Sequence, residues 1–257
     1  MRFEPRRDEA RAARWRAIGQ WTGETFFDLL NRAAEATPDK VAITDGGNRV
    51  TYAELRDVTD RMAARYRALG IGETDVVAIQ LPNWIEFAPC FFALERIGAV
   101  AVTVSTDFRA RELEYILRFS EARGFVTCGD YRGFDHLAMA LDLRGKLPGL
   151  ELIGSFRSPP REGVVPLDDV MAGKGPPKDF TPFRQPSDAV MRMAFTSGTT
   201  GNPKGVMHSH DTTLPAARIL NTDLGLGAED RMMVWLPLGL NWGYLTLVQS
   251  VMANATA

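Results

Sequence analysis

Residues 76–127, VVAIQLPNWIEFAPCFFALERIGAVAVTVSTDFRARELEYILRFSEARGFVT, carry the pattern that decides the fold. Three apolar runs in this stretch predict strands that are covered on both faces, because their residues do not alternate with polar ones. These runs are Val76–Leu81, Ala99–Val104 and Gly124–Thr127. The two segments between the runs have the length and apolar content of helices. The alternation predicts an α/β fold in which parallel sheet layers are flanked by helices and joined by right-handed crossovers.

The residues around these elements indicate where the two helices begin and end. Asn83 is predicted to cap the helix that follows the first strand. Pro89 falls inside that helix and predicts a kink or an early break. Cys90 lies among its apolar residues and is predicted to belong to the core. The second helix is expected over Arg109–Ser120.

Further elements are expected on both sides of this stretch. Upstream, the pattern predicts a helix over Glu24–Ala36 and a strand over Lys40–Thr44. The capping box formed by Thr51 and Glu54 is expected to open a long helix. Downstream, the Pro- and Gly-rich stretch Ser155–Pro186 predicts a surface connection with one short strand and one helical turn.

The composition indicates a globular protein without a strong overall charge. The 257 residues are 45% hydrophobic and 24% charged, with a formal net charge of -2, so neither nucleic acid nor anionic lipid is expected as a partner. Two cysteines cannot form a disulfide framework, and without a secretory signal they predict a cytoplasmic protein. The uncharged stretch from Met232 to Ala257 is interrupted by proline, glycine and amide residues. It predicts a buried strand, loop and helix and no membrane span.

A loop rich in hydroxyl groups and glycine follows the apolar strand predicted at Met191–Phe195. Its sequence from Thr196 to Val206 is TSGTTGNPKGV. Consecutive backbone N–H groups in such a loop form a concave anion site, the hydroxyl groups add donors, and Lys204 adds a positive charge. The Walker and dinucleotide patterns do not fit, because Lys204 follows Pro203 and the glycine spacing differs. On composition alone, the alternative is an ordinary surface turn.

The segment Thr196–Val206 resembles the phosphate-loop signature of the adenylate-forming (AMP-binding) superfamily, in particular the acyl- and aryl-CoA ligases. The match is unbroken, and similar segments elsewhere in the chain are Thr37–Ala42, Thr51–Leu55, Leu81–Asn83 and Ala93–Val100. The resemblance covers Trp21–Ala257. We therefore interpret residues 1–20 as an N-terminal arm and residues 21–257 as an incomplete large N-terminal adenylation domain. The later part of that domain, the small mobile domain and their motifs are not found, so we expect a fragment without turnover of its own.

The resemblance implies a two-step reaction that uses ATP and Mg²⁺. A carboxylic acid attacks the α-phosphorus and releases pyrophosphate, and the acyl group of the acyl-adenylate then passes to coenzyme A. The resemblance also implies that the loop binds the β- and γ-phosphates, with Lys204 as the catalytic residue. The implied phosphate-binding residues are Thr196, Ser197, Gly198, Thr199, Thr200, Gly201 and Lys204. Two alternatives are an aryl-acid adenylating enzyme that loads a carrier protein and a non-catalytic nucleotide-binding remnant.

The segment Val234–Gly243 resembles the part of the family that lines the acid pocket. Leu240 stands where many members carry His, which argues against a polar contact to the substrate carboxylate from this position. Asn241 and Trp242 resemble the His-Asn-aromatic run of aryl-acid ligases, in which the Asn contacts a ring hydroxyl. The alternative role for Asn241 is a cap on the following helix. We predict Leu240, Asn241 and Trp242 as substrate-binding residues. A pocket walled by Leu240 and Trp242 suits an aromatic or alicyclic acid.

Two histidines near the loop raise the question of a metal site. His208 and His210 alternate at strand spacing, which would place both on one face as metal ligands. No acidic cluster adjoins them in the sequence, so structural roles are favoured, with His210 near the start of the next helix. We predict no metal-ligating residue in this chain.

Overall fold

A sheet of seven strands forms the centre of the fold in the computed structural model, which describes residues 3, 5, 8–173, 180–196 and 203–257. The strands of this part of the chain are β1 Val41–Asp45, β2 Asn48–Thr51, β3 Val76–Ile79, β4 Val100–Thr103, β5 Gly124–Cys128, β6 Asp130–Tyr131, β7 Phe134–Asp135, β8 Leu152–Phe156, β9 Val165–Pro166, β10 Arg192–Thr196 and β11 Lys204–His208. The helices are α1 Glu9–Ala17, α2 Phe26–Ala36, α3 Tyr52–Ala68, α4 Phe87–Glu95, α5 Ala110–Phe119, α6 His136–Lys146, α7 Asp168–Met171, α8 His210–Leu224 and α9 Asn241–Ala253.

The sheet has the strand order β11-β10-β4-β3-β5-β8-β9. All neighbouring strands are parallel except β10 and β11, which form an antiparallel hairpin. The strands predicted within residues 76–127 are β3, β4 and β5, and every residue in them is buried. Their parallel pairing confirms the predicted α/β fold.

Alternate residues of the central strand face two different hydrophobic clusters. Val77 and Ile79 of β3 belong to a cluster with residues of α2, α3 and α4, whereas Val76 and Ala78 belong to a cluster with residues of α5 and α6. Successive side chains of a strand point to opposite faces, so the sheet is covered by helices on both faces. This double cover explains why the strands are continuous apolar runs.

Helix α3 begins at the capping box that the sequence predicts. The hydroxyl of Thr51 accepts a hydrogen bond from the backbone N–H of Glu54 at 3.2 Å, and the Thr51 N–H donates to the Glu54 carboxylate at 2.8 Å. This reciprocal pair confirms the capping box at the start of α3. The helices expected over Glu24–Ala36 and Arg109–Ser120 occur as α2 and α5.

Two predictions for the helix after β3 were wrong. Helix α4 begins at Phe87, and Glu86 at its N-cap position makes no side-chain capping bond, so Asn83 does not cap it. The amide of Asn83 bonds to a distant backbone segment instead. Pro89 does not break the helix, because it lies in the first turn, where its missing N–H would have no intrahelical partner. Cys90 is fully buried in α4, as predicted.

The sequence did not indicate α6 or β8. Strand β8 is buried throughout but contains Gly154 and Ser155, which weaken its apolar signal. A Cβ on Gly154 would lie 2.8 Å from Cδ1 of Leu167, the residue after β9, so this packing favours glycine there. The predicted connection at 155–186 does contain one short strand, β9, and one helical turn, α7. Residues 174–179 lie outside the described part of the chain.

The strand expected after Met232 is absent, although the expected helix occurs as α9. Residues 232–240 form an irregular segment in which Met233 and Trp235 are 84% and 74% exposed. Just before it, Arg231 forms an isolated bridge with Thr256, and the N–H of Met232 donates to the Thr256 carbonyl oxygen at 2.7 Å. Among the described helices, none is long and apolar enough to cross a membrane.

Candidate functional site

The β10–β11 hairpin brings the two ends of the predicted phosphate loop together. Thr196 is the last residue of β10 and pairs with Lys204, the first residue of β11. Both residues are exposed. The remaining residues assigned to phosphate binding lie outside the described part of the chain, and these are Ser197, Gly198, Thr199, Thr200 and Gly201. Their roles remain predictions.

The carboxyl ends of three adjacent parallel strands meet beside this hairpin. Strand β4 lies between β10 and β3 in the sheet. The register aligns Ala194 of β10 with Thr103 of β4, and Thr103 with Ile79 of β3. The segments that leave these strands therefore lie side by side. In open parallel sheets, this edge is where ligands bind.

Gln80 links the segments that follow β3 and β4. Its side-chain N–H donates to the carbonyl oxygens of Ser105 and Phe108 at 2.8 and 3.1 Å. Its Oε1 lies 3.2 Å from Nδ1 of His136, and because an amide oxygen only accepts, this histidine nitrogen carries a proton. Gln80, Ser105 and His136 are all buried. This network holds the carboxyl edge of the sheet in one arrangement.

Asn83 attaches the predicted acid-pocket segment, residues 234–243, to the same edge. Its amide N–H groups donate to the carbonyl oxygens of Val234 and Leu236 at 2.9 and 2.8 Å, and its Oδ1 accepts from the N–H of Leu238 at 2.8 Å. A Cβ on Gly239 would lie 2.1 Å from the carbonyl oxygen of Val104. The 234–243 segment therefore packs directly on the residues that follow β3 and β4.

The three predicted substrate-binding residues lie at the N-terminal end of α9. Leu240 is the N-cap, and it makes no side-chain capping bond. Trp242 is 61% exposed, and Asn241 is also exposed. Asn241 is the first helical residue, so the alternative that it caps α9 was wrong. Its Oδ1 instead accepts a hydrogen bond from Nη1 of Arg192 at 2.9 Å.

Arg192 is a functional candidate that the sequence reasoning missed. It is 0% exposed, and no carboxylate of the described residues forms an ion pair with it. Its Nε donates to Thr103 Oγ1 at 3.0 Å, its guanidinium lies 4.0 Å from the centre of the Tyr244 ring, and its Nη2 has no hydrogen-bond partner among the described residues. Burial lowers the pKa of Arg192 to about 10. The feature of the sequence that could have identified Arg192 is a charged residue inside a predicted apolar strand.

The histidines occupy separate elements. His208 ends β11, and burial together with the positive charge of Arg192 lowers its pKa to about 4. His210 begins α8, as expected, and its Nδ1 accepts from the N–H of Phe26 at 3.4 Å. Burial lowers its pKa to about 3, so His210 is neutral beside Glu95. Nowhere in the described part of the chain do three or more His, Cys, Asp or Glu side chains form a group that could hold a metal ion.

A cavity of about 440 Å³ is lined in part by the 234–243 segment. It is bounded by β1, by Asn83–Ile85, by residues 231–234 and by Leu238 and Leu247. Leu240, Asn241 and Trp242 do not line it. Of the 234–243 segment, Val234 and Leu238 line it.

The sequence matches the family described as AMP-binding enzyme over residues 30–257. Among curated relatives, it is 36% identical to a 2,3-dihydroxybenzoate-AMP ligase of Bacillus subtilis, over 81% of this chain and 37% of that protein. It is also 36% identical to the salicyl-AMP ligase / salicyl-S-ArCP synthetase of Mycobacterium tuberculosis, over 90% of this chain and 41% of that protein. A medium-chain fatty-acid–CoA ligase of Escherichia coli is 32% identical, over 93% of this chain and 42% of that protein. The chain thus spans about two fifths of the length of these relatives.

Solved structures show the same similarity in three dimensions. The apo structure of Mycobacterium smegmatis MbtA superposes with a TM-score of 0.88 at 30% identity, over 99% of this chain and 47% of that one. The anthranilate CoA ligase AuaEII in complex with anthranoyl-AMP superposes with a TM-score of 0.82 at 25% identity, over 90% of this chain and 43% of that one.

Proposed function

The chain belongs to the AMP-binding enzyme family, and on this basis we propose that the protein activates a carboxylic acid with ATP and transfers the acyl group to coenzyme A. The observation that carries the proposal is the pairing of Thr196 with Lys204 at the carboxyl edge of the sheet. This edge also receives the 234–243 segment, so a phosphate loop and an acid pocket would be neighbours.

The first chemical step is a displacement at phosphorus. A carboxylate oxygen of the substrate forms a bond to the α-phosphorus of ATP, and the bond from that phosphorus to the oxygen bridging to the β-phosphate breaks. Pyrophosphate leaves with the electron pair of the broken bond. The ammonium of Lys204 and the donors of the loop would stabilise the negative charge that develops on pyrophosphate.

The second step transfers the acyl group from AMP to coenzyme A. The thiolate sulfur of coenzyme A bonds to the acyl carbon, and the bond from that carbon to the adenylate oxygen breaks, releasing AMP. The described residues do not gather a cluster of carboxylates suited to Mg²⁺.

We propose an aromatic acid as the substrate. Two relatives at 36% identity are ligases for 2,3-dihydroxybenzoate and for salicylate, and AuaEII is an anthranilate ligase. Trp242 and Leu240 would supply apolar walls, and Asn241 would supply a polar contact. The alternative acceptor is a carrier protein, which is favoured by the similarity to the salicyl-S-ArCP synthetase.

Exchange of pyrophosphate into ATP tests the proposal in the complete protein. We expect acid-dependent exchange, and we expect Lys204→Ala to reduce its rate by a factor on the order of 10²–10³, because a donor to the leaving group is lost. The matched control is Lys146→Ala, since Lys146 is exposed on α6 and forms a surface ion pair with Asp142. An unchanged rate in Lys204→Ala would remove Lys204 from the site. Thioester formation with coenzyme A but not with carrier protein would decide the acceptor.

A further inference from the structure

We propose that Arg192 and the N-terminal end of α9 form a site for a second carboxylate group of the substrate, so that the preferred acid is an aromatic dicarboxylic acid. One carboxylate would react with ATP, and the other would bind at this site. This assignment rests on the proposed function, because it places the acid beside Leu240, Asn241 and Trp242. Two independent features of the structure support it, a buried guanidinium group and a helix end without a side-chain cap.

Arg192 is a buried cation for which the described residues supply no counter-charge. It is 0% exposed, and its polar contacts are neutral, since Nε donates to Thr103 Oγ1 at 3.0 Å and Nη1 donates to Asn241 Oδ1 at 2.9 Å. The remaining nitrogen, Nη2, has no acceptor in the described part of the chain. Removing a charge from water without an opposite charge nearby costs free energy. An apolar residue would fill this place in β10 at lower cost, which points to a role outside stability.

The guanidinium group lies at the carboxyl edge of the sheet. Arg192 is the first residue of β10 and aligns with Ala101 of β4, yet its Nε reaches Thr103, the last residue of β4. Ala194 points to the same face of β10 as Arg192, and its small side chain leaves room for the long one. The positive charge is therefore carried from the start of β10 to the carboxyl end of β4.

The N-terminal end of α9 also favours a negative charge. Leu240 at the N-cap position makes no side-chain capping bond, and the first turn of this 13-residue helix contains no acidic residue. The first N–H groups of a helix have no partner within it, and the helix dipole adds a partial positive charge there. Arg192 donates to Asn241, the first residue of α9. The buried cation and the helix end therefore meet at one point.

A carboxylate fits the remaining edge of the guanidinium group. Thr103 accepts from Nε, which leaves the edge formed by Nη1 and Nη2. A carboxylate binds such an edge through two parallel hydrogen bonds, which are stronger than bonds to a neutral oxygen. The amide oxygen of Asn241 occupies one of the two positions, and because Asn241 is exposed, it can turn aside for a carboxylate. The ring of Tyr244, whose centre lies 4.0 Å from the guanidinium carbon, keeps Arg192 in place.

The test compares benzoate with the three benzenedicarboxylates, which are phthalate, isophthalate and terephthalate. Acid-dependent exchange of pyrophosphate is measured on the complete protein, and kcat/KM is determined for each acid. We expect at least one dicarboxylate to exceed benzoate by about tenfold or more, the effect of one charge-assisted hydrogen bond. The ratio of dicarboxylate to benzoate within one variant cancels any effect that is common to all the acids.

Arg192→Met replaces the cation with an unbranched apolar side chain. We expect the ratio to fall toward one, and we expect the midpoint of urea unfolding without substrate to rise, because an unpaired buried charge is removed. Arg96→Met is the matched control, since Arg96 is also buried but pairs with Asp60 at 2.8 Å. This control should lower the midpoint and leave the ratio unchanged. A folded Arg192→Met protein with a lower midpoint would indicate a counter-charge within the protein and contradict the proposed site.

Asn241→Asp tests the same site at an exposed residue, so it decides if Arg192→Met fails to fold. The new carboxylate would bind the edge formed by Nη1 and Nη2, and a negative charge is favourable at a helix N-terminus. It would repel a second carboxylate of the substrate, so the ratio should fall by about tenfold or more. Asn48→Asp makes the same chemical change on exposed β2 and should leave the ratio unchanged. A ratio within twofold of the wild-type value in Asn241→Asp would overturn the proposed site.

Failure of the site and failure of the proposed function give different results. If benzoate is activated and all three dicarboxylates stay within twofold of it, the site is wrong and the proposed function stands. If the wild type activates an alkanoate and none of the aromatic acids, the proposed aromatic substrate class is wrong, and the site for an aromatic dicarboxylate is wrong with it.

Discussion

At the scale of single residues, Asn83 illustrates how one side chain positions a distant segment. It lies four residues after the end of β3, and its amide uses both donors and its acceptor on the backbone of residues 234–238. The sequence separation of these contacts is 151 to 155 residues. Since residues 232–240 form no regular element, these three hydrogen bonds hold in place the segment that precedes α9.

We expect Asn83→Ala to loosen that segment. The substitution leaves two carbonyl oxygens and one N–H without their partner, which costs about 1–3 kcal/mol in a partly buried site. Urea unfolding measures the loss of stability, and the rate of tryptic cleavage after exposed Arg231 measures local opening. Asn48→Ala on β2 is the matched control and should change neither. Equal cleavage rates in the wild type and Asn83→Ala would contradict this role.

At the scale of elements, the junction between β4 and the 234–243 segment depends on a residue without a side chain. A Cβ on Gly239 would lie 2.1 Å from the carbonyl oxygen and 2.4 Å from the carbonyl carbon of Val104. Both are backbone atoms of a buried residue and cannot move as a flexible side chain would. The close approach of two backbones therefore brings the start of α9 to the carboxyl end of β4.

We predict that Gly239→Ala displaces the segment. The added methyl group must move one of two packed backbones, which typically costs about 1–3 kcal/mol. The measurements are urea unfolding and the acid-dependent exchange of pyrophosphate, and both should be impaired. Gly227→Ala is the control, because a Cβ at Gly227 has no atom within 4 Å. A fully active and stable Gly239→Ala protein would show that the packing at Val104 is looser than described.

At the scale of the whole molecule, a buried acid and a buried histidine link three helices. Glu95 of α4 lies beside His210 of α8, and its Oε1 accepts from the N–H of Phe27 in α2 at 3.3 Å. Burial raises the pKa of Glu95 to about 7 and lowers the pKa of His210 to about 3, while Arg96 opposes the shift of Glu95. Both groups therefore favour their neutral forms in the folded protein.

These shifts predict an optimum in the pH dependence of stability. Because the pKa of Glu95 is raised from 4.5 to about 7, folding takes up a proton, and the contribution of Glu95 to the free energy of unfolding is lost as pH rises from about 4.5 to 7. The contribution of His210 has the opposite sign and is lost as pH falls from 6.5 to about 3. The two contributions cancel between about 4.5 and 6.5, so stability is level and highest there and falls below 4.5 and from 6.5 to 7. Glu95→Gln should stabilise the protein at pH 8 by a few kcal/mol, on the order given by the pKa shift.

Denaturant unfolding across pH 4.5 to 8 checks this prediction, since the gain from Glu95→Gln should shrink toward the acid end. The control is Glu114→Gln on exposed α5, where the carboxylate forms a surface pair with Arg118. A gain that does not depend on pH would indicate that Glu95 acts through packing and not through its charge.

Much of the fold and part of the site could be predicted from local signals. The buried strands β3, β4 and β5 and the capping box at Thr51 follow from residues that are near one another in the chain, and the hydroxyl- and glycine-rich pattern after β10 identified the family. Side-chain period, capping and turn preferences act over a few residues. Strand β8 and helix α6 were missed because Gly154, Ser155 and a weakly amphipathic stretch dilute those signals.

The sequence by itself determined the strand and helix alternation and the class of loop, because both depend on neighbouring residues. Only the tertiary structure decided the partners of Asn83 and Asn241. If either asparagine had capped a helix, its role would have followed from the residues next to it in the sequence. Instead, Asn83 bonds to residues 234–238, and Asn241 bonds to an arginine 49 residues away. The physical reason is that a polar side chain bonds to whichever donors and acceptors the sheet order brings within reach, and that order comes from pairings between distant strands.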